Sequence, residues 1–217
     1  MQLERVSFGY AAKPVFEDFS LTLAEGAITA VLGPSGVGKS TLIKLLSGLV
    51  APTSGGVPGR KVSCMFQEPR LSPSLSVLRN LTVIPGIDRA EAARWLTAVD
   101  LADEFEAHPS SLSGGMAQRV SMARAFAYPS DLLLMDEPFK GLDLSLRTRL
   151  YDVFLSLWRE RSVTTVLVTH DPEEAVALSS RVLVLSGTPA SVTFDRAVSD
   201  SDRAALYADL RTALMEA

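Results

Sequence analysis

Residues 33–40 read GPSGVGKS, a G-x-x-x-x-G-K-[ST] pattern. Glycines at 33, 36 and 38 let a loop bend until its backbone N–H groups converge, and converging N–H groups bind phosphate oxygens. Lys39 supplies a point charge for the β- and γ-phosphates of a nucleotide. Ser40 supplies a hydroxyl for Mg²⁺, which takes oxygen ligands in octahedral geometry. Pro34, Ser35 and Val37 complete the loop, and Thr41 carries it into a helix whose positive end faces the same anion. A second constellation lies at residues 132–138, LLLMDEP, where an apolar run ends in two adjacent carboxylates. Successive strand residues face opposite sides, so Asp136 and Glu137 should do different work. Asp136 suits a Mg²⁺ ion held through its water shell, and Glu137 suits the orientation or deprotonation of an attacking water.

Positioning these groups needs strands that end, and helices that begin, beside one another. The run ITAVL at 28–32 is a short buried strand leading into the glycine loop. After the loop, Leu42, Leu45, Leu46 and Leu49 follow an i, i+3, i+4, i+7 helical stripe, which the cluster APTSGGVPG terminates. KVSCMF, DLLLMD, TTVLVT and RVLVLS read as further strands, and the β-branched run at 164–169 is the clearest of these. Helices are expected at 90–99, at 114–127, along Leu146, Leu150, Val153, Phe154 and Leu157, and along Leu206, Leu210 and Leu214. Asp171, Pro172 and Glu174 form a helix start with a cap, a first-turn proline and an acid three residues beyond the cap. Residues 71–88, rich in Pro, Ser and Gly, carry no clear assignment. Strands alternating with helices predict an α/β domain on a parallel sheet. The first 30 residues predict a small antiparallel β piece, and residues 72–126 an inserted, mostly helical subdomain.

Bulk composition narrows the setting. With 217 residues and 47% hydrophobic content, one domain with a full core is expected, and disorder is not. A net charge of −4 gives no electrostatic reason to expect a nucleic-acid partner. The single cysteine, Cys64, excludes an intrachain disulfide and reads as a buried, inert thiol; His108 reads as a surface residue. The opening residues lack the apolar stretch of a signal peptide, and no run approaches a membrane span. Any membrane part is therefore expected from other chains.

Residues 112–126, LSGGMAQRVSMARAF, give the sequence its family likeness: together with the two motifs above they resemble the nucleotide-binding domains of ABC transporters, with Met116 where glutamine is common. Nearly the whole chain follows the family's motif order. The resemblance implies a P-loop NTPase (RecA-like) core of parallel strands with the antiparallel and helical additions just described, and ATP and Mg²⁺ as cofactors. It makes Tyr10 the aromatic that stacks on adenine and Gln67 a catalytic-site glutamine that also reaches the metal. Pro138 and Asp143 fall in the D-loop region, and His170 becomes the switch histidine near the γ-phosphate. It further implies a head-to-tail dimer with ATP at the interface. Ser113, Gly114 and Gly115, at a helix start, can offer a hydroxyl, N–H groups and a dipole to an anion. In the family these groups close on the partner's γ-phosphate.

The stretch 66–81, FQEPRLSPSLSVLRNL, and DEPF at 136–139 are similar to the ATPases of the nitrate, sulfonate and taurine importers, or of related thiamine-precursor importers. Ser74 stands where that group often has tryptophan, and Lys140 where it often has glycine. This likeness implies a transmembrane permease as partner, a periplasmic or extracellular solute-binding protein in the same system, and a cytoplasmic place on the inner face of the cell membrane. An exporter or lipoprotein-handling ATPase is the alternative transport reading. A non-transport ABC ATPase calls for a long coiled-coil insert or tandem cassettes, which the sequence does not have.

Overall fold

The computed structural model describes every residue except 12 and 200. Two sheets organise the chain. β1 (Gln2–Tyr10) pairs antiparallel with β2 (Lys13–Thr22) on one side and with β4 (Ser54–Gly56) on the other. The larger sheet has six strands in the order β5 (Val62–Phe66), β6 (Leu132–Asp136), β7 (Thr164–Val168), β3 (Ile28–Leu32), β8 (Arg181–Ser186) and β9 (Ser191–Ala197). All its pairings are parallel except β8 with β9. β3 and β7 are buried along their whole length, as central strands of a sheet covered on both faces must be.

The alternation of β6 shows how the layers form. Leu132 and Leu134 join a core with Leu42, Leu45 and Leu46 of α1 (Lys39–Leu46) and with Leu3, Val6, Phe16 and Phe19 of the antiparallel sheet. Leu133 and Met135 face the other way. There they meet α2 (Val77–Thr82), α3 (Arg89–Ala98), α4 (Gly114–Ala127) and α5 (Leu144–Arg161). A chain of aromatic contacts crosses this second layer. Trp95 of α3 faces Phe126 of α4 at 6.4 Å, Phe126 meets Phe154 of α5 at 5.9 Å, and Phe154 meets Phe139, two residues beyond Glu137, at 6.3 Å. A third core joins Ala30, Leu32, Val182 and Val184 to α6 (Pro172–Leu178) and α7 (Arg203–Met215). In sequence, α2, α3 and α4 all lie between β5 and β6.

Several local expectations give way to the tertiary structure. The first helix ends at Leu46, and Leu49 is 70% exposed beyond a left-handed Gly48, so the apolar stripe runs one turn past the helix. The glycine-rich stop after it contains β4, which exists only because β1 offers it an edge. α2 lies in the stretch without a clear signal. Ser76 caps it by accepting from the Arg79 N–H, and the buried Asn80 donates to the carbonyls of Ser72, Leu75 and Ser76. β9 is an exposed edge strand with little apolar content to mark it. Cys64 is half-buried on the edge strand β5, and burial raises its thiol pKa.

Candidate functional site

Three neighbouring parallel strands deliver the chemistry-bearing groups to one edge. The glycine loop follows β3, the acid pair ends β6, and His170 lies two residues past β7; in the sheet β7 sits between the other two. The C-terminal ends of parallel strands are where such folds collect ligands. Gly33 has φ 142°, and a Cβ there would lie 2.2 Å from the Leu185 carbonyl oxygen of β8, so only glycine lets the loop leave the sheet so closely. Lys39 curls back over the loop and donates from Nζ to the carbonyls of Gly33 (2.7 Å) and Pro34 (2.9 Å). Burial lowers its pKa, and the negative charges of Glu137 and Asp136 oppose that shift. Pro34, Ser35 and Gly36 are exposed, while Val37, Gly38 and Thr41 are buried against the sheet and α1.

Asp136 is half-buried, and burial raises its carboxyl pKa; a hydrogen bond with the Ser40 side chain pulls the other way. Glu137 leaves the strand with φ 48° and donates its N–H to the Val168 carbonyl at 2.9 Å, which turns its side chain off the sheet. Its Oε1 lies 3.7 Å from His170 Nδ1, and its Oε2 contacts the Lys140 ammonium. Ser40, Phe66, Gln67, Arg70, Asp136 and Glu137 line one cleft of 420 Å³. The hydroxyl of Ser40, the carboxylate of Asp136 and the side-chain carbonyl of Gln67 are hard oxygen donors around this single space, the donor type Mg²⁺ takes.

The remaining sequence-predicted residues lie further out. Tyr10 ends β1, is 46% exposed, and packs edge-on against Phe8 at 5.0 Å. Its hydroxyl accepts from Lys44 Nζ at 3.3 Å, and hydrogen bonds with Thr41 and Lys44 lower its pKa, so the ring stands beside the start of α1. Ser113 caps α4, accepting the Met116 N–H at 3.3 Å. Ser113 and Gly114 are exposed; Gly115 is buried, and a Cβ there would sit 2.7 Å from Leu146 Cδ2. None of these three lines the cleft that holds Ser40 and Glu137. Pro138 is buried, Asp143 caps α5 by accepting the Leu146 N–H at 3.0 Å, and His108 is exposed.

Two supporting residues escaped the sequence reading. Gln118 is buried, and its Nε2 donates to the carbonyls of Phe66, at 3.3 Å, and Pro138. It thus ties α4 to the residue before Gln67 and to the residue after Glu137. Arg124 donates to the carbonyls of Pro69 (3.1 Å) and Arg70 (2.9 Å), fixing the far side of the Gln67 loop. The available signal was an amide and a guanidinium six residues apart in a helix whose one other long polar side chain is Arg119. Behind His170, Asp171 caps α6 and pairs with Arg147 at 2.7 Å. Glu174, 4% exposed, accepts from the Tyr151 hydroxyl at 3.2 Å, and burial pushes its pKa up to about 7.

Comparison with known proteins agrees with this geometry. The ABC transporter family model matches residues 16–140. Over 188 residues the chain is 42% identical to the aliphatic sulfonates import ATP-binding protein SsuB 1 of Pseudomonas savastanoi pv. phaseolicola, covering 85% of this chain and 79% of that protein. Over 187 residues it is 46% identical to SsuB 3 of Rhodococcus jostii, covering 83% and 68%. The fold superposes with a TM-score of 0.76 on the ATP-binding cassette MJ0796, solved as a dimer in a post-hydrolysis state with ADP and Pi; that pair is 26% identical over 91% of this chain and 98% of the other. The chain therefore belongs to the ABC transporter family. Within it, the protein is a nucleotide-binding, ATP-hydrolysing cassette.

Proposed function

We propose that the protein is the ATPase subunit of an importer for a small organic anion of the sulfonate class, driving a separate membrane permease. The observation that carries this reading is the convergence of Lys39, Ser40, Asp136, Glu137 and His170 at the ends of three adjacent strands; the named relatives, importers of aliphatic sulfonates, supply the solute class. The loop 33–38 and the N-terminus of α1 bind the phosphates through backbone N–H groups, and Lys39 neutralises β/γ charge. Tyr10 stacks on the base. Glu137 orients the attacking water and takes its proton, and His170, beside the same carboxylate, contacts the γ-phosphate. Ser40, Asp136 and Gln67 would hold Mg²⁺, which when bound neutralises charge on the β- and γ-oxygens.

Ser113, Gly114 and Gly115 serve the partner copy: Ser113 and Gly114 are exposed, Gly115 is buried behind them, and all three lie outside their own cleft, so that they complete the nucleotide site of a second subunit in a head-to-tail dimer. Residues 72–126 act as a helical subdomain inserted in the ATP-binding core. Among the described residues no helix is long and apolar enough to cross a membrane, so the proposed permease supplies the span. The cassette then works from the cytoplasmic face, with a solute-binding protein delivering cargo on the other side. Purification from membranes with the permease identified by mass spectrometry tests the assignment, together with uptake of a labelled alkanesulfonate. The reading requires a multi-span partner and uptake that Lys39→Ala abolishes. Undiminished alkanesulfonate uptake with that variant as the sole copy would remove the solute assignment.

A further inference from the structure

Residues 137–140 form a turn in which the Lys140 N–H donates to the Glu137 carbonyl at 3.3 Å. That turn folds the Lys140 side chain back over its own acid, three residues upstream, and places the ammonium on Glu137 Oε2. The other oxygen, Oε1, lies 3.7 Å from His170 Nδ1. Oε2 thus faces an ammonium and Oε1 an imidazole ring of the same chain, and these are the two oxygens on which an attacking water would be held. The glutamate side chain is 21% exposed and the lysine 45%, so the contact is partly desolvated at the acid while the lysine can swing into solvent. The ammonium is not needed to build the turn: a glycine at 140 would keep the backbone hydrogen bond and lose the charge.

We infer that Lys140 is a positioning residue that restrains Glu137, competing with the attacking water for its carboxylate and so setting a low intrinsic rate of ATP hydrolysis. The inference rests on Glu137 being the base. The ammonium takes up one lone-pair site on Oε2 and lowers the basicity of the carboxylate toward a bound water, so turnover is divided between a held and a free carboxylate. Ion pairs of this exposure are weak, and removing one shifts such a division by about two- to fivefold. The pair is also screened by salt.

The experiment is steady-state ATPase of the purified protein with Mg²⁺ and ATP. Lys140→Met and Lys140→Gly should each raise kcat about two- to fivefold with KM for ATP unchanged, while Lys140→Arg, which keeps a cation on the carboxylate, should keep the wild-type rate. Raising KCl from about 0.05 to about 0.5 M should bring the wild-type rate toward that of Lys140→Met and leave the variant flat relative to it. A merely structural lysine would not give a salt-dependent gap that closes. A kcat for both Met and Gly variants equal to or below wild type overturns the restraint. Glu137→Gln in the same assay separates the two failures. If it is inactive while the Lys140 variants are unchanged, only the restraint falls. If it turns over normally, Glu137 is not the base and both readings fall together.

Discussion

The cleft at the strand ends and the tip of α4 carry the two most distinctive motifs of the chain, and they are built differently. In the cleft, the lysine and the carboxylates have partners within the same chain. Lys39 is bound to loop carbonyls, Asp136 to Ser40, and Glu137 faces Lys140 and His170. At the α4 tip, the Ser113 hydroxyl is engaged by the Met116 N–H as a helix cap, and Gly114 has open space around the position of a side chain. The charged groups of the first region are complete in their partners within one subunit; the second region is incomplete there, and in the proposed dimer it would serve a partner's nucleotide. Lys39→Ala is the sharpest way to break the complete region: nucleotide binding should weaken and turnover fall about 100-fold or more, measured by nucleotide titration and ATPase assay. Ser113→Arg should break the incomplete one, leaving ATP binding by the single subunit intact and abolishing ATP-dependent dimerisation in sizing chromatography. Unchanged dimerisation would show that α4 does not reach a partner's nucleotide.

Two smaller effects sharpen the contrast by probing what lies beneath each region. Glu174, behind His170, has a pKa near 7 against an ordinary 4.5 because of burial. Between those values the folded state holds more protons than the unfolded chain, so stability falls as pH rises across that window. The loss amounts to about 3 kcal/mol. Glu174→Gln keeps an acceptor for Tyr151, and urea unfolding at pH 5 and pH 8 should show this decline removed. Gln118→Leu strips the Phe66 and Pro138 carbonyls of a donor and should cost about 1–3 kcal/mol in the same assay. Because those carbonyls flank Gln67 and Glu137, ATPase activity should fall with it, which would show that α4 steadies the cleft as well as serving a partner.

The cleft was legible in the sequence because its signals are local. A glycine loop between an apolar run and a helical stripe lies within residues 28–49, and an apolar run ending in two acids within residues 132–138. The family motifs at Tyr10, Gln67, Ser113 and His170 were readable by resemblance, though the residues themselves are unremarkable without it. Long-range partnership was what stayed hidden. β4 exists through its pairing with β1, β9 through β8, and the Gln118 and Arg124 anchors through carbonyls more than 50 residues upstream. The Lys140 contact depends on the left-handed turn at Glu137, which no periodicity reports. Leu49 illustrates the converse: an apolar residue at the right spacing is left outside the helix when Gly48 takes a positive φ.

The proposed hydrolysis depends on Glu137, just past the end of β6, and one variant addresses it directly. Glu137→Gln, given Mg²⁺ and ATP, should bind nucleotide as the wild type does, lose turnover by about 100-fold or more, and accumulate as an ATP-bound dimer in sizing chromatography. Hydrolysis at the wild-type rate by that variant would contradict the assignment of Glu137 as the group that activates water.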